Sequence, residues 1–444
     1  MKTIISAKLK LNTAPEPLAQ LRAISLSYRD ACNFVSKYAF EHGKMSNSKA
    51  LQKGTYDDIR LKFHLPSQMA CSVPRQVGAT YKGLWTKVKQ NAEHRKSGRT
   101  KKRYRGLDKA PTFISPTVTY QYKKDYSFKK NNHVSVLTLD GRVVVPYTGK
   151  TSHIELIKSG AEIGAAKLWY DKAKKQFYLL VALEIETPDP DPENQTGCAG
   201  VDVGVRYLAV ASNTRGKHSF HSGKRVVSHA NHYARLRKRL QKKGTRSATR
   251  RLVVVSGRER RLKQDANHCV SKSIVAQYPN HLIGLEYLTD IRERTPRRKR
   301  DKKGRRVSKK QRKANATYSK WSFAELHSMI AYKAQLAGSI AIKVDAHYTS
   351  KACPMCGHTS DANRPGNSLL FVCQKCHYTL HADLVGARNV TMRTLLIRQD
   401  WVSTGTLSEC PDVADCEAKA ARLSRFAELR WSLATSPLSL DGGL

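Results

Sequence analysis

Three acidic residues stand at the ends of short apolar segments, where a carboxylate can take part in chemistry. Asp202 lies in the apolar segment GVDVG, and Glu286 ends the apolar run HLIGLE. Asp383 opens a helical pattern in the segment ADLVGARN. Because a buried carboxylate is unfavourable unless it is paired, hydrogen-bonded or bound to a metal, each position is a candidate functional site. Taken singly, each acid could instead be a hydrogen-bonded structural residue.

The spacing of the three acids is compatible with one shared cation site. About 80 to 100 residues separate them, and acids at the ends of elements can converge on one point of a mixed α/β sheet. Oxygen ligands favour Mg²⁺ or Mn²⁺ over Zn²⁺. Two such ions, about 4 Å apart, can position a water molecule and stabilise the leaving oxygen of a phosphodiester. We therefore predict that Asp202, Glu286 and Asp383 bind two Mg²⁺ (or Mn²⁺) ions. A glycosidase or an aspartic protease fits a basic chain less well.

Four of the ten cysteines form a second candidate metal site. Cys353 and Cys356 make one Cys-x-x-Cys pair, and Cys373 and Cys376 make another, with sixteen residues between the pairs. Four thiolates at this spacing can bind one tetrahedral Zn²⁺, and no coordination position is then left for water. We therefore predict one structural zinc ion. The alternatives are two disulfides or unrelated free thiols, which suit an unsecreted protein less well.

The composition points to a polyanionic partner. The 444 residues include 80 Lys and Arg against 35 Asp and Glu, a formal net charge of +45, and 40% of the residues are hydrophobic. That hydrophobic content can form buried cores and excludes a wholly disordered basic chain. Apolar runs stay shorter than the roughly 20 residues of a membrane helix, and the N-terminus does not resemble a signal peptide. We expect a cytoplasmic protein that binds nucleic acid.

Three segments hold most of this charge. Glu93–Arg105 carries a net +6, His232–His268 carries +11 and Ile291–Lys313 carries +12. Several separated basic segments predict a long, salt-sensitive contact with nucleic acid, although a single basic run could be only solvated surface. The third segment lacks helical periodicity, so we expect a loop that orders on nucleic acid, with Arg297 and Arg298 as contacts.

The second basic segment predicts a helical hairpin. Apolar residues recur at helical spacing from Leu236 to Val270, on both sides of the turn residues Gly244 and Thr245. One face of each helix would pack, while the opposite, basic face would contact a phosphate backbone. The arginines predicted to make these contacts are Arg235, Arg239, Arg246, Arg250, Arg258 and Arg261.

Outside these segments the hydrophobic pattern changes along the chain. Residues 1–11 alternate like a strand, whereas residues 17–42 and 68–89 have the apolar periodicity of helices. Residues 110–185 predict strands. Strands on both sides of a helical insertion indicate one small β-barrel that a helical domain interrupts. The proline-rich segment 187–196 predicts a linker to a distinct C-terminal half.

The segments around the acids resemble a known family. GVDVG, GLEYLTDIR and ADLVGARN are similar to the three RuvC-type nuclease segments of the TnpB (OrfB) family and of its descendants, the compact type V CRISPR effectors. The four-cysteine ribbon between Glu286 and Asp383 is similar as well. The resemblance is strong over residues 196–395 and weaker before them. Two positions depart from it: the family often has an acid two residues before the third aspartate and an asparagine two residues after it, where this chain has His381 and Val385.

The resemblance implies an α/β multidomain protein. It has an RNase H-like RuvC nuclease domain with a zinc-ribbon insertion, and an N-terminal wedge β-barrel that a helical recognition domain interrupts. The catalytic triad carries over to Asp202, Glu286 and Asp383. The implied boundaries are 1–12 and 109–190 for the wedge barrel, 13–108 for the recognition domain, 191–348 and 380–398 for the nuclease domain, 349–379 for the zinc ribbon and 399–444 for a C-terminal tail.

The implied function is that of an RNA-guided DNA endonuclease, cutting double-stranded DNA beside a short flanking motif. The implied partners are a guide RNA and target DNA, in a prokaryotic cytoplasm and at the nucleoid when bound; the sequence leaves the number of protomers open. The residues expected near the flanking motif lie on the helix at 68–89, where a solvated helix face is the alternative. They are Arg75, Gln76, Thr80 and Lys82.

Three other functions are compatible with parts of this pattern. An RNA-guided DNA-binding regulator would not need the three acids. A metal-dependent transposase would share the acids and would not need a guide RNA. A structure-specific nuclease, such as a junction resolvase, fits the length and the zinc ribbon less well. A discrete co-purifying RNA would distinguish a guided enzyme from a transposase.

Overall fold

The computed structural model describes residues 2–98, 100–115, 117–172, 174–288, 306–318, 321–365, 369–412 and 415–432. The chain divides into two compact units, Lys2–Glu186 and Thr187–Leu444. The boundary falls at the start of the proline-rich segment 187–196, which contains no helix or strand. Across the described ranges, no helix is both long enough and apolar enough to cross a bilayer.

The first unit contains a nearly closed antiparallel sheet. Its strands are β1 (Lys2–Leu11), β2 (Thr117–Tyr120), β3 (Tyr126–Lys129), β4 (His133–Thr138), β5 (Gly141–Thr148), β6 (Glu162–Asp171) and β7 (Gln176–Glu186). Their order is β2-β6-β7-β1-β5-β4-β3. The two edge strands, β2 and β3, are consecutive in the chain and only a short turn separates them, so the sheet must curl until its edges are close.

Strand β1 lies in the middle of this sheet, although in the chain it is separated from the other six strands by helices α1–α3. Ala7, Leu9 and Leu11 are fully buried, whereas Lys8 and Lys10 are exposed. This period of two is the pattern of a strand with one face on a core. The register with β7 begins with Lys2 opposite Glu186. The N-terminal strand therefore completes a sheet whose other strands all follow the helical insertion.

Within the described part of this unit, four α-helices accompany the sheet. They are α1 (Pro15–Glu41), α2 (Ser48–Phe63), α3 (Ser67–Lys96) and α4 (Thr151–Lys158). The sequence pattern did not predict α2 or α4. The buried stripe of α2 is Leu51, Thr55 and Ile59, so a polar residue interrupts its apolar periodicity. Helices and strands of this unit share one hydrophobic core.

The second unit is built on a mixed five-stranded sheet. Its strands are β8 (Gly197–Asp202), β9 (Tyr207–Asn213), β10 (His218–Ser222), β11 (His281–Glu286) and β12 (Ile340–Val344), and a separate ribbon pairs β13 (Leu370–Val372) with β14 (Thr379–His381). The five strands follow the order β10-β9-β8-β11-β12. Strands β8, β9 and β10 are antiparallel, whereas β8, β11 and β12 are parallel. Adjacent parallel strands end at the same edge of the sheet.

The described residues of the second unit also form six α-helices. They are α5 (Lys224–Lys243), α6 (Arg246–Gln277), α7 (Lys309–Tyr318), α8 (Phe323–Leu336), α9 (Ala382–Thr404) and α10 (Cys416–Glu428). Helix α9 lies directly on the sheet, because a Cβ atom at Gly200 would collide with the α9 backbone at Ala387 and Thr391. A Cβ at Gly284 would collide with the side chain of Thr394 on the same helix. Two glycines thus let α9 cross β8 and β11 at close range.

The predicted loop over Ile291–Lys313 is wrong at its C-terminal end. Helix α7 begins at Lys309, and the Ser308 hydroxyl accepts a hydrogen bond from Gln311 N at 3.1 Å, as a helix cap does. The stretch after Gly304 contains neither proline nor glycine, so nothing in its composition opposes a helix. Arg297 and Arg298 lie outside the described residues.

The predicted helical hairpin is formed by α5 and α6. Gly244 ends α5 with φ +65°, and the Thr245 hydroxyl caps α6 by accepting a hydrogen bond from Ala248 N at 3.3 Å. A buried acid links the two helices: Glu259 on α6 pairs with Arg237 on α5, and with Lys263 at 2.9 Å. The hairpin therefore uses one acidic residue to join helices that are otherwise strongly basic.

We predict that Glu259→Ala loosens the hairpin. Removing the buried partner of two cations should cost roughly 1–3 kcal/mol. Amide hydrogen exchange in α5 and the first half of α6, followed by mass spectrometry, should accelerate roughly tenfold or more. Asp265→Ala removes the same charge from an exposed position of α6 and should leave the exchange unchanged. Equal acceleration in both variants would show that net charge, rather than the buried pair, governs the hairpin.

Candidate functional site

The structure brings the three predicted acidic side chains together. Asp202 ends β8 and Glu286 ends the adjacent parallel strand β11. The register places Leu285 beside Val201, so the two acids leave the sheet side by side. Asp383 is the second residue of α9, whose N-terminus lies at this edge of the sheet. Asp202 interacts by hydrogen bonding with Glu286 and electrostatically with Asp383.

The electrostatics of this edge are unfavourable without a counter-charge. Burial raises the pKa of Asp202 well above its ordinary value, and the charges of Glu286 and then Asp383 raise it further. Burial also raises the pKa of Glu286, which is 6% exposed. Like charges held close in a low dielectric cannot all ionise unless a cation compensates them. The three carboxylates are therefore arranged to gain from a nearby cation.

Two of the acids have partners from the segment that carries the cysteines. The Thr349 hydroxyl donates a hydrogen bond to Glu286 Oε1 at 2.8 Å. Arg364 Nη2 pairs with Asp383 Oδ1 at 3.1 Å. Neither partner was predicted from the sequence, because nothing in local spacing connects residue 349 or 364 to the acids. The cysteine segment therefore supports the acids as well as forming its own cluster.

Space beside Asp202 depends on a glycine. A Cβ atom on Gly386 would lie 3.0 Å from both Cγ and Oδ2 of Asp202, tighter than nine in ten real Cβ contacts. Only a residue without a side chain leaves the carboxylate undisturbed there. Gly386 lies one turn after Asp383 on α9, so the same helix supplies one acid and leaves room for another.

His381, which departs from the family pattern, has a capping role. Its Nδ1 accepts a hydrogen bond from Asp383 N at 3.3 Å, at the N-terminus of α9. The rings of Tyr207 and Phe220 pack edge-on against it, with centroid distances of 5.5 and 5.0 Å. The imidazole therefore orients the start of α9 from within an aromatic cluster. Val385, the second departure, is fully buried and packs near the cysteines.

The donor chemistry of the acids fits a hard divalent cation. All three donors are carboxylates, the ligands that Mg²⁺ and Mn²⁺ prefer. In the part of the chain that the structure describes, the one group of His, Cys, Asp or Glu side chains whose ligand atoms all lie within 4.8 Å of one another is the set of four cysteines. The acids are less tightly gathered, and Asp383 is paired with Arg364.

The four cysteines form a cluster that fits a zinc ion. They are Cys353, Cys356, Cys373 and Cys376. The Sγ atoms of Cys353 and Cys376 are 3.6 Å apart, and those of Cys356 and Cys373 are 3.5 Å apart. A tetrahedron with Zn–S bonds of about 2.3 Å has S···S edges of roughly 3.8 Å, whereas a disulfide needs about 2.05 Å. These distances suit a shared metal and exclude the two-disulfide alternative in this geometry.

Each Cys-x-x-Cys pair is held by the same kind of turn. Cys353 N donates to His358 O at 2.9 Å, and Cys373 N donates to Tyr378 O at 3.0 Å. The turn residues Gly357 and His377 both have positive φ, +74° and +56°. The second turn thus accepts a histidine in a conformation that glycine adopts more easily. In both pairs, the backbone hydrogen bond and the turn therefore position the two cysteines.

The basic residues predicted to contact nucleic acid differ in how available they are. Arg75 and Lys82 are exposed on α3. Gln76 is half-buried, and its Oε1 accepts hydrogen bonds from Tyr28 and Thr119, so its side chain is engaged within the fold. Thr80 donates to the carbonyl of Gln76. All six predicted arginines of the hairpin are exposed: Arg235, Arg239, Arg246, Arg250, Arg258 and Arg261.

The fold and the two clusters define a class of α/β protein with three acids at one sheet edge and a four-cysteine ribbon beside them. Two family models match the chain: one described as "Probable transposase" (OrfB_IS605) over residues 180–289, and one described as "Cas12f1-like, TNB domain" over residues 323–390. The first range contains Asp202 and Glu286, and the second contains the four cysteines and Asp383.

The chain is also similar in sequence to two curated relatives. The chain is 25% identical over 273 residues to the CRISPR-associated endodeoxyribonuclease Cas12f1 of Sulfoacidibacillus thermotolerans, covering 56% of this chain and 58% of that protein. It is 30% identical over 163 residues to a TnpB-like protein of Methanocaldococcus jannaschii, covering 36% of this chain and 53% of that protein. The chain thus spans between half and three-fifths of each relative's length.

A solved structure has a similar fold. The cryo-EM structure of a Cas12f1–sgRNA–target DNA complex matches with a TM-score of 0.56 at 14% identity, covering 85% of this chain and 82% of that chain. Together with the family models, this likeness confirms the resemblance to the TnpB (OrfB) family and to the compact type V effectors. It also confirms the α/β fold class.

We predict that Cys373→Ser lowers the zinc content below one ion per chain and destabilises the region around the ribbon. Binding of a structural zinc ion contributes about 10–16 kcal/mol to folding in small zinc domains, so the loss of one thiolate should be visible. Elemental analysis and thermal unfolding measure the two effects. Cys269→Ser, at an exposed cysteine of α6, is the matched control. Full zinc content and wild-type unfolding of Cys373→Ser would contradict the assignment.

Proposed function

We propose that this chain is an RNA-guided DNA endonuclease whose active site consists of Asp202, Glu286 and Asp383. The observation that carries the proposal is the convergence of three carboxylates at one sheet edge. Their mutual repulsion adds to burial in raising the pKa of Asp202. The names of the matched relatives support it, because one is an endodeoxyribonuclease and another is TnpB-like. The antiparallel and parallel strand order supports the RNase H-like RuvC domain that the family resemblance implies.

The three acids would hold two Mg²⁺ or Mn²⁺ ions. Ions bound there supply a positioned water nucleophile and stabilise the leaving oxygen of the phosphodiester. The protein's own groups keep the acids in place: Thr349 fixes one oxygen of Glu286, and the α9 N-terminus presents Asp383. Arg364 pairs with Asp383 Oδ1 and so offsets part of the charge at this edge.

Tyr318 is a neutral donor at the same edge. Tyr318 is 43% exposed, and the burial of the rest of its side chain, followed by the charge of Asp202, raises its pKa. Its phenol is protonated at neutral pH, as an unperturbed tyrosine also is. A protonated hydroxyl beside a cluster of acids can donate a hydrogen bond to a phosphate oxygen without adding charge. We infer that it helps to orient the scissile phosphate.

Nucleic acid would be held by the basic surfaces of both units. In the second unit the exposed arginines of the α5–α6 hairpin would contact the backbone of the guide RNA or of its duplex with DNA. In the first unit we propose the nearly closed sheet as the wedge and α1–α3 as the recognition helices, with Arg75 and Lys82 near the flanking motif. Base pairing with the guide would supply sequence specificity, as in other RNA-guided effectors.

Asp202→Ala should abolish Mg²⁺-dependent cleavage of target DNA while guided binding persists. Loss of a central catalytic group typically lowers the rate by at least about three orders of magnitude. Cleavage of labelled DNA by the RNA-loaded protein and a mobility-shift assay measure the two activities. Asp57→Ala, at an exposed acid of α2, is the control. Cutting by Asp202→Ala at the wild-type rate would refute the proposed active site.

A combined variant with alanine at Arg235, Arg239, Arg250 and Arg258 should bind guide RNA more weakly and with a shallower salt dependence. Each lost phosphate contact reduces the slope of log K against log salt by about 0.7–0.9, so four contacts reduce it by roughly 3. Filter binding across a salt series measures the slope. An unchanged slope would show that this face of the hairpin does not contact the nucleic acid backbone.

A further inference from the structure

The C-terminal segment 415–431, here named the C-terminal strap, lies beyond both family matches and folds back onto the second unit. Arg425 makes two hydrogen bonds to the carboxylate of Asp400 on α9, at 2.9 and 2.7 Å. At the end of the strap, Trp431 N donates to Pro354 O at 2.7 Å, between the two cysteines of the first pair. The strap is therefore anchored both to α9 and to the zinc ribbon.

The middle of the strap covers a buried cation. The ring of Phe426 lies over the guanidinium of Arg393 on α9, 4.3 Å from ring centroid to Cζ. Arg393 is 3% exposed. An aromatic face over a desolvated guanidinium is a favourable contact that also excludes water. Phe426 therefore helps to keep Arg393 in its buried position.

Arg393 in turn clamps the loop that follows β12. Its guanidinium donates to the carbonyls of Asp345 and His347, the latter at 2.7 Å. One turn earlier on α9, Asn389 Nδ2 donates to the carbonyls of Thr349 and Ala352 at 2.6 and 2.9 Å. Two buried side chains of one helix thus hold both ends of the loop 345–352.

This loop carries the hydroxyl that fixes Glu286. Thr349 Oγ1 donates to Glu286 Oε1 at 2.8 Å, and Arg393 also interacts electrostatically with Glu286. Groups that hydrogen-bond a ligating carboxylate orient it before a cation binds, and they influence affinity strongly. The contacts run without interruption from Phe426 through Arg393 and the loop to Glu286.

We propose that the C-terminal strap positions Glu286 for cation binding, with Phe426 and Arg393 as positioning residues. The proposal rests on the proposed function in that it takes Glu286 as a cation ligand. A strap that served only as packing for the zinc ribbon would influence zinc retention. A strap that positions Glu286 influences the affinity for the catalytic cation while zinc stays bound.

The test compares three changes in the full-length, zinc-loaded protein. Phe426→Ala removes the ring over Arg393, and Arg393→Lys keeps the charge while losing the forked donor geometry. Ser424→Ala, at an exposed position of α10, is the matched control. Electron paramagnetic resonance measures Mn²⁺ affinity in protein freed of nucleic acid, and the Mg²⁺ concentration for half-maximal DNA cleavage is measured in RNA-loaded protein.

Both quantities should shift by roughly tenfold towards weaker binding in Phe426→Ala and Arg393→Lys, and by nothing in Ser424→Ala. Phe426→Tyr retains the ring, so its Mn²⁺ affinity and its Mg²⁺ requirement should equal those of the wild-type protein. Zinc content should stay at one ion per chain in all variants. Unchanged Mn²⁺ affinity in Phe426→Ala, or zinc loss as the sole change, would overturn the proposal. A wild-type protein that neither binds Mn²⁺ at this edge nor cleaves DNA would overturn the proposed function as well.

Discussion

The repulsion among three carboxylates at one edge of the second sheet is the constraint on which the rest of this unit depends. Adjacent parallel strands deliver Asp202 and Glu286 side by side, and the N-terminus of α9 delivers Asp383 to the same place. Such an arrangement is unfavourable unless surrounding groups hold it and a cation offsets it. The close crossing of α9 over Gly200 and Gly284 provides the rigidity, because the α9 backbone lies against Gly200 and the Thr394 side chain fills the space at Gly284.

The zinc ribbon and the acids form one connected structure. Thr349 and Arg364, on either side of the first cysteine pair, contact Glu286 and Asp383 respectively. A metal that orders the ribbon therefore also orders the groups around the acids. The C-terminal strap extends this connection, since it contacts both the ribbon at Pro354 and α9 at Arg393. The four-cysteine site that fits a zinc ion and the proposed site of the catalytic cations are thus linked through hydrogen bonds rather than through shared ligands.

In the α5–α6 hairpin the positive charge is arranged around one buried acid. Within the α5–α6 hairpin a single buried glutamate, Glu259, neutralises facing cations from both helices and leaves the predicted arginines exposed. The exposed charges then repel one another and are free to compensate phosphates. The same division holds on α3, where Arg75 and Lys82 face solvent while Gln76 is engaged with Tyr28 and Thr119. In both elements the exposed basic side chains are available to bind phosphates, whereas the buried side chains make contacts within the fold.

The sequence by itself determined the elements with strong local signals: the alternation of β1, the hairpin turn at Gly244, the two cysteine pairs and the three acids at the ends of elements. It missed α2, because Thr55 interrupts the buried stripe, and it predicted a loop up to Lys313, where the structure has the first turn of α7. Only the tertiary structure decided that Thr349, Arg364 and Arg393 serve the acids and that the strap reaches Arg393. These contacts join residues far apart in the chain, and hydrogen bonds between distant segments leave no periodicity in the sequence from which to predict them.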